Sequence, residues 1–374
     1  MTRFYKPAEI PGAGQKTLSS RFYISDELYL LEQKQVFRRQ WLCAGREDLI
    51  PDAGDFFVRS VGADSVIFVR GRGGVVRAFH NVCRHRGTRL CEEQTGRFTN
   101  AIRCPYHSWA YGFDGRLVAS PFMEGVPGFD PGDYPLHPVE LELWEGFLYF
   151  SLSTGPVPFT SIHAPLIGRF SRYHLAELRS YGKIEYDVAA NWKLIFENYS
   201  ECYHCTGVHP ALVKLSPADS GANDLVEGPF LGGYMEVKPG KGSMSLSGNA
   251  CGIPVGPLPE ADMHRVYYYS LFPNVLLSLH PDYVMVHTIW PQSPSHTRIE
   301  CEWLFHPLAA QQPGFDPQDA IQFWDKTNRE DWHVCELSQL GVASNAYTPG
   351  PYSARESISA AFDREYLRIM DCGL

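Results

Sequence analysis

The stretch from Cys83 to Trp109, CRHRGTRLCEEQTGRFTNAIRCPYHSW, places a Cys-x-His pair at 83 and 85 and a Cys-x-x-His pair at 104 and 107, with 18 residues (Arg86 to Arg103) between them. Two sulfur–nitrogen pairs at such short spacing are a metal-ligand pattern, and their donors can act together only if two loop tips meet at one point. This part of the chain must therefore fold as a compact unit that presents two loops side by side.

The rest of the sequence sets the context for that unit. A chain of 374 residues has room for one large or two ordinary domains. With 44% hydrophobic and 20% charged residues it has the balance of a globular protein, and its formal net charge of -9 gives no basic footprint for nucleic acid or an anionic membrane. Small molecules and proteins are the expected partners. The amino-terminal MTRFYKPAEIPGAGQK lacks the apolar core of a secretory leader, and no later run approaches the ~20 apolar residues of a membrane span. A cytoplasmic protein is expected, and in that reducing setting ten cysteines read as thiols and metal ligands, too sparse for a disulfide scaffold.

Periodicity divides the chain. Ser25 to Trp41, with a capping residue ahead of an apolar stripe, predicts a helix. From Gly54 short β-branched and aromatic runs alternate with glycine turns: Phe56 to Val61, Ser65 to Arg70, the turn Gly71-Arg72-Gly73-Gly74, then Val75 to His80. Asp114-Gly115 marks another hairpin, and Trp144 to Ser153 a further strand. A proline-rich stretch from Ser153 to Leu166 suits a boundary, so we expect an N-terminal helical segment (1–40), an all-β domain (41–155) and a second domain (156–374). In the second domain Asn191 to Leu212 predicts a helix ending near Pro210, Arg298 to Pro307 a strand, and Asp316 to Gly341 a helix. The fold class is α+β. The glycine clusters Gly12 to Lys16 and Gly71 to Gly74 do not open a βαβ unit, so no dinucleotide site is expected.

Zinc accepts two Cys and two His but prefers a Cys pair followed by a His pair, whereas here each pair is mixed. A mixed pair on each loop suits a [2Fe-2S] cluster in which one iron takes both thiolates and the other both imidazoles. CRHRGTRLC followed by CPYHSWAYGFDGRL resembles the Rieske domain of the non-haem iron oxygenases, the likeness extending through Trp109 and the Asp114-Gly115 hairpin. By that resemblance Cys83 and Cys104 bind one iron, His85 and His107 the other. Neutral imidazole in place of thiolate lifts the potential to about -150 to +300 mV from about -400 mV in plant-type ferredoxins, which makes such a cluster an acceptor and relay.

A relay needs a destination. In ENYSECYHCTGVHP, Glu201, His204 and His209 fall close together, and two His with one carboxylate form the facial triad of Fe(II) oxygenases, leaving positions open for O2 and substrate. On a straight helix two residues five apart diverge by roughly 140°, so His204 and His209 converge only if the helix loosens or ends before Pro210. The resemblance to terminal oxygenase subunits of the Rieske non-haem iron family now covers nearly the whole chain. It implies a catalytic helix-grip domain, an antiparallel sheet with helices, in which His204, His209 and a distant Asp bind a mononuclear Fe(II). NREDWHVCE matches the element carrying that Asp and points to Asp331, with Glu330 as its rival. Trp324, Asn328, Asp331 and Cys335 form one helical stripe, and Phe323, Thr327, Glu330 and Val334 form another equally good one.

Most of the family has Asp where this chain has Glu201. Glu at this position, the run ENYSECYHC and the later YTPGPYS are similar to the subgroup acting on quaternary ammonium compounds such as carnitine, glycine betaine and choline. The resemblance implies a Glu201 that bridges His204 to His107 of a neighbouring subunit, hence a homotrimer, with Asn198 as a polar support and a flavin- or ferredoxin-type reductase delivering electrons from NAD(P)H. O2 is the implied cosubstrate. For a quaternary ammonium cage Tyr234, Tyr267, Tyr268, Tyr269 and Trp303 are the candidates, of which strand alternation admits only some. An aromatic or alicyclic carboxylate would use the same walls. Ser216 to Leu258, rich in Gly and Pro, reads as a pocket lid.

Overall fold

The computed structural model describes residues 15–224 and 228–371; the glycines at 12 and 14 lie outside them. The chain forms two compact units, residues 37–157 and residues 1–36 with 158–374.

The chain enters through two short helices, α1 (Arg21–Ile24) and α2 (Asp26–Glu32). Ser25 caps α2 by accepting the Leu28 N–H at 3.2 Å, and Asp26 and Glu27 favour its positive end. The helix expected to reach Trp41 stops earlier. From Gln33 to Phe37 it loosens into a π turn, a change of pitch that buries both Val36 and Phe37.

The first unit is β throughout: β1 (Leu42–Arg46), β2 (Asp55–Val61), β3 (Asp64–Arg70), β4 (Val76–His80), β5 (Thr95–Arg97), β6 (Ile102–Arg103), β7 (Ala110–Tyr111), β8 (Leu117–Ala119), β9 (Pro138–Trp144) and β10 (Phe147–Ser151). Seven of these form an antiparallel sheet in the order β1-β10-β9-β4-β3-β2-β5, while β6-β7-β8 form a small second sheet. Both turns expected from glycine are present. Gly71 donates its N–H to Val75 O at 2.8 Å, and the Asp114-Gly115 turn joins β7 to β8. Gly115 is required there twice over: its φ is +86°, and a Cβ would lie 2.5 Å from the Phe79 ring. Phe56, Ile67, Val69, Phe79, Ile102, Trp109 and Tyr111 share a core with Cys83 and Cys104, so the two metal-type loops grow from one packed base.

The second unit continues through α3 (Phe159–Ile162), β11 (Arg179–Val188), α4 (Trp192–Tyr199), α5 (Cys205–Val208), α6 (Leu212–Leu215), β12 (Ala222–Asp224), β13 (Phe230–Glu236), β14 (Arg265–Leu271), β15 (Val275–Leu279), β16 (Val284–Ser293), β17 (His296–Phe305), α7 (Pro317–Val342) and α8 (Ser357–Ile369). Its seven strands form one antiparallel sheet, β11-β17-β16-β15-β14-β13-β12. The 26-residue helix α7 opens on an Asp316 cap with Pro317 in its first turn, as its sequence predicts. It packs against β11 and α4. Helices α4, α2 and α8 are tied together by a buried carboxylate: Glu32 accepts from Lys193 Nζ at 2.5 Å, Trp192 Nε1 at 2.9 Å and Tyr366 Oη at 2.7 Å. Each charge is matched, which a buried ion pair requires.

The expected lid is a wall instead. Within 216–258, β12 and β13 pair at the edge of the sheet, and residues around them line a cavity. Gly232 and Gly233 hide this strand from a propensity reading, yet packing demands them: a Cβ on Gly232 would lie 2.2 Å from Tyr268 O.

Candidate metal centres and active-site cavity

The helix expected over 191–212 breaks into three pieces, and the break makes the site. Asn191 caps α4 by accepting the Lys193 N–H at 3.0 Å. At the other end Ser200 Oγ donates to Phe196 O at 2.6 Å, which competes with helix continuation. Glu201 then folds its carboxylate over the following turn, accepting from the N–H groups of Tyr203 and His204. Cys202 and Cys205 close the same turn through a disulfide, so these two of the ten cysteines are not the thiols expected.

Past this turn His204 and His209 face each other, with Nε2 atoms 3.2 Å apart. Asp331 Oδ1, reaching in from α7, lies 2.8 Å from His209 Nε2 and 3.2 Å from His204 Nε2. Among the described residues these three form a group able to hold a metal ion, with donor atoms within 4.8 Å of one another. Two imidazoles and one carboxylate on one side of an ion leave its remaining positions free. Behind each ring stands another carboxylate. Glu201 Oε1 takes the Nδ1–H of His204 at 2.6 Å, and Glu330 Oε2 that of His209 at 2.9 Å. Carboxylates there fix the tautomer and leave Nε2 to face the centre. Glu330, the rival for the third donor, thus sits on the far side of His209. The structure reveals its supporting position, for which the sequence offered only adjacency to Asp331.

Electrostatics at this centre favour bound positive charge. Burial lowers the His204 imidazole, but hydrogen bonds to Asp331 and Glu201 outweigh it and push it up to about 10. His209 is likewise lowered by burial and raised more strongly by Asp331. Burial raises the Asp331 carboxyl, yet the two imidazoles bring it below its ordinary value. The pocket is built to hold cationic charge between its carboxylates, which a divalent ion would provide.

A cavity of about 410 Å³ opens onto these three side chains. Its aromatic wall is Tyr199, Tyr268, Trp324 and Trp332, with Tyr199 and Tyr268 at 6.1 Å and Tyr268 and Trp324 at 6.3 Å, both edge to face. Of the tyrosines expected in a cage, Tyr268 and Tyr234 line the cavity. Tyr267 and Tyr269 point to the other face of β14, where they donate to Asp262 (2.8 Å) and Asp224 (3.1 Å). Trp303 is fully buried away from the cavity. Asn198 lines the cavity, its side chain without a partner among the described residues. His287 is a wall residue the sequence did not reveal: burial pushes its imidazole down to about 4, against an opposing hydrogen bond to Asn328.

In the β unit the two loops meet as expected. Cys83 and Cys104 are buried free thiols, and the rings of His85 and His107 lie 4.7 Å apart. Trp109 stacks on His85 at 4.8 Å and donates no bond to it. Tight turns shape both loops: the N–H of Cys83 donates to Thr88 O and that of Cys104 to Trp109 O, each at 2.8 Å. Tyr111 Oη lies 3.3 Å from Cys83 Sγ. The group that fits here is betrayed by an orphan: His85 Nδ1 is buried with no hydrogen-bond partner among the described residues, and burial lowers the ring's pKa, which favours the neutral imidazole a metal takes as ligand.

Comparisons with known proteins identify both domains. Residues 40–130 match the Rieske [2Fe-2S] domain, and residues 175–372 the ring hydroxylating alpha subunit catalytic domain. The chain belongs to the Rieske ring-hydroxylating oxygenases. It is 32% identical to the glycine betaine monooxygenase oxygenase subunit of Pseudomonas aeruginosa (strain UCBPP-PA14), over 90% of this chain and 85% of the relative. It is 35% identical to the carnitine monooxygenase oxygenase subunit of Escherichia coli (strain K12), over 88% and 85%. The fold matches the quaternary ammonium Rieske monooxygenase CntA solved with L-carnitine (TM-score 0.80, 22% identity, 96% of each chain). It also matches naphthalene 1,2-dioxygenase from Rhodococcus sp. (TM-score 0.78, 20% identity, 95% and 94%). The α+β reading, an all-β Rieske domain beside an antiparallel sheet with helices, holds. As a member of this family the chain is an oxidoreductase with a Rieske [2Fe-2S] cluster and a mononuclear iron, using O2 and reductase-supplied electrons. No described helix is long and apolar enough to cross a membrane.

Proposed function

We propose that the chain is the terminal oxygenase of a two-component monooxygenase that hydroxylates an N-methyl carbon of a small quaternary ammonium compound. In this reading Cys83, His85, Cys104 and His107 hold the cluster, and His204, His209 and Asp331 hold the iron. The observation that carries it is a cavity with an aromatic wall that ends on two imidazoles and a carboxylate. A quaternary ammonium group has no N–H to donate, so only aromatic faces and anionic charge can hold it, and this cavity offers both. Relatives named for glycine betaine and carnitine support the same substrate class.

The iron, when bound, activates O2 with electrons that arrive singly from the cluster. The chain's own residues do the rest. Glu201 and Glu330 hold the Nδ1 protons of His204 and His209 and so keep both rings turned inward. Tyr199, Tyr268 and Trp324 pack around the substrate cation and exclude water from it. One oxygen atom enters a C–H bond of the methyl group, and the other leaves as water with two electrons and two protons. The hydroxymethylammonium then breaks its C–N bond, releasing formaldehyde, a proton and the demethylated amine.

Glu201 gives this reading an oligomer. Its Oε1 is engaged by His204 Nδ1 and its Oε2 by the N–H groups of Tyr203 and His204, and we assign the carboxylate the further role of receiving His107 of a neighbouring subunit, which makes a homotrimer the working form, in the cytoplasm and served by a flavin- or ferredoxin-type reductase that draws on NAD(P)H. Asn198 we place beside the iron as a polar support.

The test is reconstitution with a reductase, measuring O2 uptake and formaldehyde on glycine betaine, carnitine and choline beside aromatic acids. Substrate-dependent formaldehyde from a quaternary ammonium compound is expected. A ring-hydroxylated product from an aromatic acid with no response to any quaternary ammonium compound would overturn the reading. For the bridge, Glu201→Ala should retain cluster and iron yet lose turnover, whereas loss of iron would make Glu201 an iron ligand. Light scattering should give three chains per particle.

A further inference from the structure

Among the groups lining the cavity, charge is distributed unevenly. Glu201, Asp219 and Asp331 are acidic, and Glu201 and Asp331 are taken up by the histidines. One side chain of permanent positive charge lines the cavity among the described residues, Arg355. It is solvent-exposed and its guanidinium has no ion pair or hydrogen bond with any described residue. Other arginines of this unit are engaged: Arg169 with Asp224, Arg172 with Asp262, Arg329 with Asp325 and Arg368 with Glu365. An acidic neighbour exists for Arg355 as well, but Glu356 is turned back to accept the Ser353 N–H at 2.7 Å, closing a capping box.

The backbone that carries Arg355 is held firmly. Besides that capping box, Ser357 Oγ accepts from Asn223 Nδ2 at 2.9 Å, tying the segment to β12, and Tyr352 Oη donates to Asp363 at 2.8 Å. A fixed backbone with a free guanidinium at a cavity mouth is the arrangement of a ligand anchor, since the fork of N–H donors matches a carboxylate in two parallel bonds.

We propose that Arg355 binds the carboxylate of the substrate, and that the substrate is therefore a betaine, carrying a quaternary ammonium and a carboxylate in one small molecule, in preference to an amino alcohol such as choline. The proposal rests on the function proposed above. The two ends of such a molecule need opposite surroundings. Its methylated cation has no hydrogen-bond donor and sits against aromatic faces near the iron. Its carboxylate cannot share that region with Glu201 and Asp331, and among the described residues the cationic side chain on the cavity wall is Arg355. A choline hydroxyl would leave the guanidinium with its water and gain little from it.

The experiment compares glycine betaine and choline on the holoenzyme and on Arg355→Gln and Arg355→Lys, by kcat/KM for formaldehyde release and by titration calorimetry on the anaerobic protein. The unaltered protein is expected to favour betaine at least tenfold. Arg355→Gln should cut the betaine-to-choline ratio of kcat/KM by about ten- to a hundredfold, through KM, with betaine affinity falling in parallel. Arg355→Lys should recover part of the loss, because a point charge replaces the fork incompletely. A ratio unchanged within about twofold in Arg355→Gln would overturn the anchor while leaving the quaternary ammonium reading intact. Turnover of none of glycine betaine, carnitine and choline by the unaltered protein would overturn both.

Discussion

The two metal-type centres are built in opposite ways. In the β unit all four donors come from one segment of the chain, 83 to 107, on two tight loops over a shared core. In the other unit the three donors come from a broken helix and from α7, which are more than a hundred residues apart in sequence. The first centre depends on local chain geometry, and the second on how one long helix is rotated against a sheet. The difference teaches where each is vulnerable: the Cys/His loops should tolerate distant change, while the three-donor centre should respond to residues that only orient α4 and α7.

Four experiments would break or sharpen that contrast. Asp331→Ala should abolish turnover and lower iron by one per chain while the Rieske EPR signal stays intact, and Cys104→Ser should do the reverse; loss of both centres in either variant would show that they fold as one. Smaller is Glu330→Ala, which removes the acceptor behind His209: iron should bind about 10–100-fold more weakly in a chelator competition, with the visible spectrum of the cluster unchanged. Unaltered iron affinity would mean that the orientation of His209 comes from packing alone.

The third test concerns the support of α4. Glu197 on that helix and Asp363 on α8 are buried together, and burial pushes the Asp363 carboxyl up to about 7, with Glu197 raised as well. A carboxyl raised in the folded state costs nothing below its ordinary pKa of about 4 and destabilises progressively as pH rises through about 7. Asp363→Asn should therefore gain stability relative to the parent between pH 5 and pH 8, on the order of 1–3 kcal/mol, in thermal unfolding. A gap that does not widen with pH would mean that the Asp363 carboxyl is not raised in the folded protein. The smallest effect belongs to the local centre: Tyr111→Phe removes the hydroxyl 3.3 Å from Cys83 Sγ and, at about 1 kcal/mol for one hydrogen bond, should lower the cluster potential by roughly 40 mV. A shift well beyond that would make the cluster as dependent on tertiary support as the catalytic site.

Much of this was legible in the chain, and the failures share a cause. The strands from Phe56 to His80 followed from alternation and glycine turns, and the need for the 191–212 helix to break followed from the five-residue interval between His204 and His209. What escaped was angular or long-range. Tyr268 lines the cavity and Tyr267 and Tyr269 do not, a matter of which face of β14 the neighbouring elements cover. Strand β13 was hidden by two glycines that the neighbouring strands require, Gly232 by β14 and Gly233 by the backbone of β12. His287 and Arg355 carried no motif at all.

Sequence alone determined the donor types, their pairing into Cys-x-His and Cys-x-x-His, and the candidate pair His204 and His209, because loop reach and helical pitch are properties of neighbouring residues. Only the tertiary structure decided between Asp331 and Glu330 as the group facing both imidazoles. Adjacent residues on α7 point about 100° apart, and the rotation that turns one toward the iron site and the other behind His209 is set by packing against β11 and α4.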